Sequence, residues 1–368
     1  MSKINGLLLG DAMIPVSGFN AAWDKYLSEF GGVGFSGDWE PSWDKLQFRR
    51  LEVEKQGPEI EPADPLVLAH GKDCDLLAGL FIPVSSKVME AMPKLRIVGV
   101  SRAGLENVNL EKATEREVLV FNVMGRNAHA VSDFAVGMML AECRNIARAH
   151  YAIKSGQWRK TFSNNDNIPE MGGKTIGLVG FGFIGSLVAK KLSGFEVKVL
   201  VYDPYADPAR IKASGCTPAG LEELFKNSDF ISLHARLTDE NKKMVNKELI
   251  SLMKPTAYLI NTGRAGLVDQ DALAAALKDK KIQGAALDVF TTEPVSADSP
   301  YLALDNVTLT SHLAGTTSDA LSNSPFLLME DIAKFLKGEE ARFIVNREVL
   351  DRPGFKDWLK SVAPSGLA

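Results

Sequence analysis

The chain has 368 residues, of which 45% are hydrophobic and 24% are charged. This length predicts two domains, and the composition is typical of a folded globular protein, which excludes a largely disordered chain. The 42 Lys and Arg residues against 46 Asp and Glu residues give a net charge of −4. Because a nucleic-acid-binding protein usually carries a basic excess, we expect no nucleic-acid partner.

Cysteines and apolar runs indicate the cellular setting. Cys74, Cys143 and Cys216 are widely spaced and form no paired metal-binding motif, so we expect neither a disulfide framework nor a metal site. The leucine run at 7–9 is too short for the core of a signal peptide. The longest apolar stretch, 176–188, is shorter than the ~20 residues needed to cross a bilayer. We therefore predict a cytoplasmic protein with no membrane partner.

Short apolar runs in the first third of the chain predict buried strands of a parallel sheet. They lie at 6–9, 76–80, 97–100 and 118–122, with a short helix at 109–117. Residues 36–65 contain Trp39, Trp43 and Phe48 among charges and prolines, without a clear period. We interpret this segment as irregular chain that covers a core or the mouth of a site.

A long helical pattern follows at 128–147, where Val131, Ala135, Met138, Met139 and Cys143 recur at helical spacing. Residues 132–140 are nearly apolar all round, which is typical of a helix buried on more than one side. Two interpretations fit this pattern equally: a core helix and a helix at a subunit interface.

The second half of the chain predicts a complete doubly wound sheet. Its six strands are expected at 175–180, 198–203, 230–234, 257–262, 284–289 and 307–311. An amphipathic helix at 321–336 ends before Gly338, and 343–345 could form one last strand. Residues 351–368 are predicted to be a polar tail that Trp358 anchors.

A glycine-rich turn closes the first of these strands, with the spacing Gly180-x-Gly182-x-x-Gly185. In a dinucleotide-binding turn the first glycine permits the tight turn, the second lets the backbone approach a pyrophosphate, and the third lets the helix pack on the strand. Asp203 ends the next strand, at the separation expected of an acid that binds the ribose hydroxyls. Such an acid repels a 2′-phosphate, which favours NAD over NADP. A packing turn without a ligand is the alternative.

Two cations near Asp203 bear on that choice of cofactor. Arg210 and Lys212 lie well past the strand end, and they could accept a 2′-phosphate instead.

Three polar residues, Arg264, Glu293 and His312, follow later strands of the same sheet. Ligands of open α/β sheets bind beyond the carboxyl ends of the strands. There a His can take the proton of an alcohol while hydride leaves the same carbon, and a neighbouring Glu favours the protonated imidazole and fixes its orientation. An Arg can hold a substrate carboxylate and polarise the carbonyl. Taken singly, each residue could also be a surface hydrogen-bonding group.

These residues resemble the D-isomer-specific 2-hydroxyacid dehydrogenases over 95–346, roughly two-thirds of the chain. Four sequence blocks carry the similarity: GLVGFGFIG at 177–185, LINTGRAGLVD at 259–269, AALDVFTTEP at 285–294 and TSHLAG at 310–315. The resemblance implies an NAD-dependent oxidoreductase that interconverts a D-2-hydroxyacid and a 2-oxoacid. In it Arg264 binds the substrate carboxylate or carbonyl, and Glu293 is the partner of His312, the general acid/base.

The resemblance also implies an α/β fold of two Rossmann-like domains with parallel sheets. An NAD-binding domain at 125–325 is expected to be inserted into a flavodoxin-like substrate-binding domain formed by 1–124 and 326–368, with the active site in the cleft. It implies a homodimer that forms through the helix near 128–144 and the arm leading to Trp158.

Further contacts are implied by the same resemblance. The cofactor is expected to contact Gly180, Gly182, Phe183, Ile184, Gly185, Asp203, Pro204, His234, Ala235, Thr262, Gly263 and Asp288. The substrate carboxylate is expected to bind Ser101, Arg102, Ala103 and Gly104. The side chain of Arg102 could bind an anionic group or pair with Glu106.

Several positions depart from the family pattern. Ser311 stands where the family usually has proline, and Ala265 replaces a usual glycine. The segment His234-Ala-Arg236 replaces a common apolar-proline pair. The loop at 79–84 lacks the arginine that phosphoglycerate-specific relatives tend to carry. This absence argues against phosphoglycerate as the assigned substrate. D-3-phosphoglycerate dehydrogenase of serine synthesis is thus an alternative function, and a non-catalytic NAD-sensing scaffold is another.

Overall fold

The apolar runs predicted as strands form two parallel sheets in the computed structural model, which describes residues 3–362. Each sheet belongs to one compact unit. The first unit comprises 3–126 and 317–362 of the described residues, and the second comprises 127–316.

The first unit contains a five-stranded sheet with the order β2-β1-β3-β4-β5, in which all strands are parallel. Its elements up to residue 126 are β1 (Ile4–Asp11), α1 (Val16–Tyr26), β2 (Gly31–Glu40), α2 (Trp43–Gln56), α3 (Pro65–His70), β3 (Leu76–Gly79), α4 (Ser86–Ala91), β4 (Ile97–Val100), α5 (Leu110–Glu115) and β5 (Leu119–Phe121). The order is that of flavodoxin-like sheets. Leu7, Leu8 and Leu9 are fully buried because helices cover both faces of a parallel sheet. The four predicted strands and the short helix are confirmed.

The prediction of irregular chain at 36–65 was wrong. The segment begins inside the edge strand β2 and continues into the 14-residue helix α2, which buries only Leu46 and Val53. A short 3₁₀ turn and the start of α3 complete it. An edge strand pairs on one side only, and β2 is rich in glycine and irregular in register, so neither element has a strong hydrophobic period.

The second unit contains a seven-stranded parallel sheet with the order β12-β11-β10-β9-β6-β7-β8. Its elements are α6 (Ala128–Cys143), α7 (Ile146–Lys154), β6 (Thr175–Val179), α8 (Phe183–Leu192), β7 (Lys198–Tyr202), α9 (Pro208–Ala213), β8 (Thr217–Pro218), α10 (Leu221–Asn227), β9 (Phe230–Leu233), α11 (Lys247–Ser251), β10 (Tyr258–Asn261), α12 (Gln270–Lys278), β11 (Gly284–Leu287) and β12 (Val307–Leu309). The six predicted strands are confirmed, and β8 is additional. The strand order reverses between β6 and β9, which is where doubly wound sheets bind nucleotides.

The helix predicted over 128–147 is divided in two. Asn145 adopts a left-handed backbone with φ +59°, so α6 ends at Cys143 and α7 starts as a separate helix at Ile146. The Asn145 side chain donates to Asn164 Oδ1 at 2.8 Å, which fixes the break. Ala135 and Met139 of α6 are fully buried in the core shared with α8 and the sheet, as the core-helix interpretation expects.

The chain returns to the first unit at Thr317, earlier than the expected residue 326, because α13 (Ser318–Ser322) and all of α14 (Ser324–Lys337) belong to that unit. Leu328 and Ile332 of α14 are fully buried in its core. Gly338 ends α14 with φ +76°, as predicted. The strand predicted at 343–345 is only an isolated bridge between Ile344 and Phe121.

The predicted polar tail contains a final helix, α15 (Pro353–Val362). Trp358 anchors it, since the indole Nε1 donates to Asp75 Oδ1 at 3.2 Å. Residues 363–368 of that prediction lie outside the described residues. Within 3–362, none of the helices combines the length and the apolar character that a membrane span requires.

Candidate active site

The glycine-rich turn between β6 and α8 has the geometry that its spacing predicts. Gly180 has φ +99°, and a Cβ there would lie 2.6 Å from the backbone nitrogen of Ala235. A Cβ on Gly185 would lie 2.1 Å from the carbonyl oxygen of Gly180, so the helix can pack this closely only without a side chain. A Cβ on Gly182 would have no neighbour within 4 Å. The backbone at Gly182 is thus open to a ligand, at the positive end of α8.

Asp203 lies beside this turn at the end of β7. Its Oδ2 accepts from the N–H of Phe181 at 2.6 Å, and its Oδ1 accepts from Tyr205 at 2.9 Å and Ala206 at 3.2 Å. The carboxylate thus joins the glycine turn to the start of the next loop. Since a carboxylate has about four acceptor sites, about one remains for a ligand.

Other residues predicted to contact a cofactor surround the turn. Phe183 and Ile184 start α8, Phe183 being 49% exposed, and Pro204 is exposed after β7. The Arg210 guanidinium lies 5.8 Å from the ring centroid of Phe181, whereas Lys212 is exposed on α9.

His234 closes the other side of the turn at the end of β9, with Ala235 next to it. Both ring nitrogens of His234 are buried and have no hydrogen-bond partner among the described residues. Burial lowers the pKa of His234 to about 4, so this imidazole is neutral at pH 7. Arg236 is exposed, and its carbonyl accepts from Asn241 at 2.7 Å.

The loop after β10 presents Arg264. Asn261 holds this loop, because its side chain donates to the carbonyl of Arg264 at 3.0 Å and accepts from the N–H of Gly263 at 3.0 Å. The Arg264 side chain is exposed, and its Nη1 donates to the carbonyl of Gly263 at 2.9 Å. The buried hydroxyl of Thr262 has no partner among the described residues, which leaves it available to a ligand.

His312 and Glu293 form a hydrogen-bonded pair, as the sequence predicted. His312 Nδ1 lies 2.8 Å from Glu293 Oε2, and the other carboxylate oxygen accepts from the N–H of Phe290 at 2.9 Å. Burial raises the pKa of Glu293, but the hydrogen bonds from His312 and Phe290 and the charges of His312 and Arg264 outweigh it, so the pKa is lowered. Glu293 is therefore an anion at neutral pH, and Nε2 of His312 is the nitrogen left for a substrate.

Asp288 holds the loop that carries His312. Its Oδ1 accepts from Thr310 Oγ1 at 2.6 Å and Leu313 N at 2.9 Å, and its Oδ2 accepts from Ala314 N at 2.9 Å. His312 has φ +56°, a conformation that non-glycine residues keep only where surrounding contacts fix it. Asp288 is completely buried, so its contacts lie within the protein rather than at an open surface. No sequence pattern indicates this supporting role.

The predicted substrate loop at 101–104 lies in the first unit. The carbonyl of Arg102 accepts from Val123 N at 3.0 Å, and the carbonyl of Ala103 accepts from Asn122 Nδ2 at 2.8 Å. Ser101 N donates to Gly79 O at 2.9 Å. The N–H groups of Arg102, Ala103 and Gly104 donate to no group among the described residues. Three free consecutive N–H groups are typical of a backbone anion site.

Comparison with known proteins places these features in a family context. Residues 136–314 match the family described as D-isomer-specific 2-hydroxyacid dehydrogenase, NAD-binding domain. The chain is 36% identical over 310 residues to the glyoxylate reductase of Korarchaeum cryptofilum, covering 83% of this chain and 93% of that protein. It is also 36% identical over 310 residues to the D-3-phosphoglycerate dehydrogenase of Methanocaldococcus jannaschii, covering 82% of this chain but only 58% of that protein.

Solved structures show the same fold. The NAD-complexed D-isomer-specific 2-hydroxyacid dehydrogenase of Lactobacillus delbrueckii ssp. bulgaricus matches 93% of this chain and 100% of its own, with a TM-score of 0.73 and 22% identity.

Proposed function

The chain belongs to the D-isomer-specific 2-hydroxyacid dehydrogenase family, and from this premise we propose that His312, Glu293 and Arg264 carry out its chemistry. The protein is an NAD-dependent oxidoreductase that acts on the CH–OH group of hydroxyacids. The observation that carries the proposal is the 2.8 Å contact between His312 and Glu293, in the unit that also contains the glycine-rich turn.

The cofactor fits the residues around the glycine-rich turn. The open backbone at Gly182 and the unpartnered hydroxyl of Thr262 are both available to a bound dinucleotide. We assign the pyrophosphate to the start of α8 and a ribose hydroxyl to the remaining acceptor site of Asp203. Asp203→Ala should weaken NADH binding and narrow the preference over NADPH in a fluorescence titration, and an unchanged preference would contradict this assignment.

His312 moves the proton of the reaction. When bound, NADH supplies the hydride that adds to C2 of the 2-oxoacid, and the carbonyl oxygen then needs a proton. Protonated His312 gives that proton from Nε2, while Nδ1–H remains donated to Glu293, whose negative charge stabilises the imidazolium. In the oxidative direction neutral His312 takes the proton from the alcohol. Arg264 holds the substrate carboxylate and polarises the carbonyl.

In this proposal the loop at 102–104 of the first unit binds a carboxylate of the substrate. The free N–H groups of Arg102, Ala103 and Gly104 can bind it through the backbone, as a cluster of consecutive amides binds anions.

Oxidation of NADH in the presence of a panel of 2-oxoacids tests the proposed function. We expect turnover of at least one 2-oxoacid and a product that chiral chromatography identifies as the D isomer. A His312→Gln protein purified in the same way controls for contaminating activity. If NADH binds but no 2-oxoacid is reduced, the protein is a non-catalytic NAD-binding scaffold instead.

We also propose that the protein is a homodimer. The helix α7 and the arm after it expose apolar side chains: Ile146 is 56%, Tyr151 74%, Ile153 57% and Trp158 80% exposed. Exposed apolar residues on one segment are typical of an interaction surface. Since α6 is largely buried within its own unit, we assign the contact mainly to α7 and the arm. Sedimentation of wild type and Trp158→Glu tests this proposal. Wild type should be a dimer that Trp158→Glu weakens, and a monomeric wild type would contradict it.

A cytoplasmic location is the last part of the proposal. Cys74, Cys143 and Cys216 are free and buried. Burial raises the pKa of each thiol, to about 11 for Cys74 and Cys143, so the three thiols are poorly reactive. Free thiols suit a reducing compartment, and cell fractionation tests the location.

A further inference from the structure

Two arginines of the first unit lie over the ring of Phe81, and a third lies beside them. The Cζ atoms of Arg50 and Arg102 are 5.4 and 4.7 Å from the ring centroid. Val123 N donates to the carbonyl of Arg102 at 3.0 Å, and Arg126 follows three residues later in the same segment. Burial, and then the charge of Arg102, lower the pKa of Arg126. We call Arg50, Arg102 and Arg126 the arginine cluster.

Local structure explains how distant parts of the chain supply these side chains. Arg50 and Glu54 lie one turn apart on α2, and Glu54 Oε1 accepts from Arg102 Nη2 at 2.8 Å. The bond from Val123 N to the carbonyl of Arg102 ties the exit of β5 to the substrate loop. Arg126 follows three residues later, after a turn at Gly125 with φ +73°.

Two of the three arginines in the cluster lack counter-ions. Arg102 pairs with Glu54 at 2.8 Å and Glu106 at 3.2 Å, but Arg50 and Arg126 form no ion pair with any residue in 3–362. Three buried N–H groups in the cluster also have no acceptor within the described part of the chain: Arg50 Nε, Arg102 Nη1 and Arg126 Nη1.

The neighbouring Arg49 shows the opposite arrangement. It pairs with Glu40 at 3.2 Å and Glu61 at 2.9 Å, while its Cζ lies 4.5 Å from the ring centroid of Trp39. Two carboxylates thus neutralise the partly buried guanidinium of Arg49. Burying an unpaired charge is costly, and a guanidinium cannot escape the cost by losing its proton. Arg50 and Arg126 therefore point to an anionic ligand.

We propose that the arginine cluster binds a second anionic group, a carboxylate or a phosphate, of the substrate. This inference rests on the proposed function, in which the C1 carboxylate binds the N–H groups of 102–104. Arg102 belongs to that same loop, so the cluster lies next to the C1 position. Guanidinium groups bind carboxylate and phosphate through paired hydrogen bonds. The substrate class is then a 2-oxoacid or 2-hydroxyacid with an ionised group beyond C2, and a segment at 36–65 contributes to its selection.

Matched pairs of 2-oxoacids test the proposal, since each pair differs in the second anionic group. Hydroxypyruvate and its 3-phosphate form one pair, and 2-oxopentanoate and 2-oxoglutarate form the other. The ratio of kcat/KM for the two members is measured at low, fixed ionic strength. Wild type should favour the ionised member of at least one pair, and the pair in which it does so identifies phosphate or carboxylate.

Two variants assign that preference to the cluster. Arg50→Met and Arg126→Met remove the charged guanidinium and keep an unbranched apolar side chain of the length of the arginine stem, and each should reduce the ratio by roughly 10- to 100-fold. Arg352→Met, at an exposed position of the same unit, should leave the ratio unchanged. The proposal is overturned if wild type favours the uncharged member of both pairs, or if neither variant alters a ratio.

A binding measurement separates this inference from the proposed function. If no 2-oxoacid of the panel is reduced, these four included, the proposed function fails, but calorimetry on the NAD-saturated protein still tests the cluster. Phosphoglycolate should bind at least 10-fold more tightly than glycolate to wild type, and Arg126→Met should remove most of this difference. Equal affinities of wild type for the two compounds would overturn the anion site whether or not the protein is catalytic.

Discussion

The arginine cluster and the His312–Glu293 pair differ in whether their charged groups have partners within the protein. His312 and Glu293 satisfy each other at 2.8 Å, whereas Arg50 and Arg126 have no ionic partner among the described residues. A pair that is already formed can transfer a proton without first being assembled. Unpaired cations need an anionic ligand to neutralise their charge. The comparison therefore separates groups built for chemistry from groups built for recognition.

His234 sharpens this comparison, because it is also buried without a partner. Its imidazole can lose its proton, and burial lowers its pKa to about 4, so it costs the fold no buried charge at pH 7. Arg126 has no such escape. A buried histidine without a hydrogen-bond partner is thus compatible with a purely structural role. A buried arginine without an ionic partner instead indicates a bound anion.

The largest expected effect concerns the paired group. His312→Gln should lower kcat for 2-oxoacid reduction on the order of 10²–10⁴-fold, because the general acid is lost. NADH affinity, measured by fluorescence titration, should change little. His129→Gln is the matched control, since His129 is exposed on the same unit. Retention of activity within a few-fold would remove His312 from the proton transfer.

The support of that pair gives the next largest effect. Asp288→Asn replaces an acceptor of three hydrogen bonds by a group with only one acceptor oxygen. The free energy of unfolding should fall by about 3 kcal/mol, and kcat should fall with it as the His312 loop relaxes. Urea denaturation and steady-state kinetics measure the two quantities. A stable variant with full activity would show that the loop keeps its conformation without Asp288.

The unpaired histidine gives the smallest effect, on the pH dependence of stability. Below its ordinary pKa of 6.5, the unfolded chain holds a proton on His234 that the folded protein lacks until about pH 4. Stability therefore falls as the pH is lowered through this range, by about 2 kcal/mol between pH 7 and pH 5.

Urea denaturation of wild type and His234→Gln at both pH values isolates this contribution. The variant should lack that part of the decline, and His129→Gln should retain it. If wild type and His234→Gln lose the same free energy between pH 7 and pH 5, His234 is not buried neutral.

The sequence predicted the second unit closely, because its strands are buried on both faces and read as continuous apolar runs. The glycine spacing and the order of Arg264, Glu293 and His312 also located the candidate site. The prediction of one continuous helix over 128–147 was wrong because the left-handed backbone of Asn145 separates α6 from α7. Sequence prediction failed again at β2 and α2, where burial is partial and no period develops.

The sequence did not predict the roles of Asp288 or of Arg50 and Arg126, for a different reason. Asp288 belongs to a recognised block, but its bonds to the His312 loop depend on how two strand ends lie together. Arg50 and Arg126 are far apart in the chain, and the hydrogen bonds of Arg102 to Glu54 and Val123 bring their two segments together. What distinguishes these arginines is a missing counter-ion, which no local pattern reveals.

A double-mutant cycle on the acid–base pair tests the central claim most directly. It compares kcat/KM of wild type, His312→Gln, Glu293→Gln and the double variant for the 2-oxoacid that is turned over best. If Glu293 acts only through His312, the double variant is no slower than His312→Gln alone. If the two losses multiply instead, Glu293 and His312 act independently, and the pair is not the proton-transferring unit.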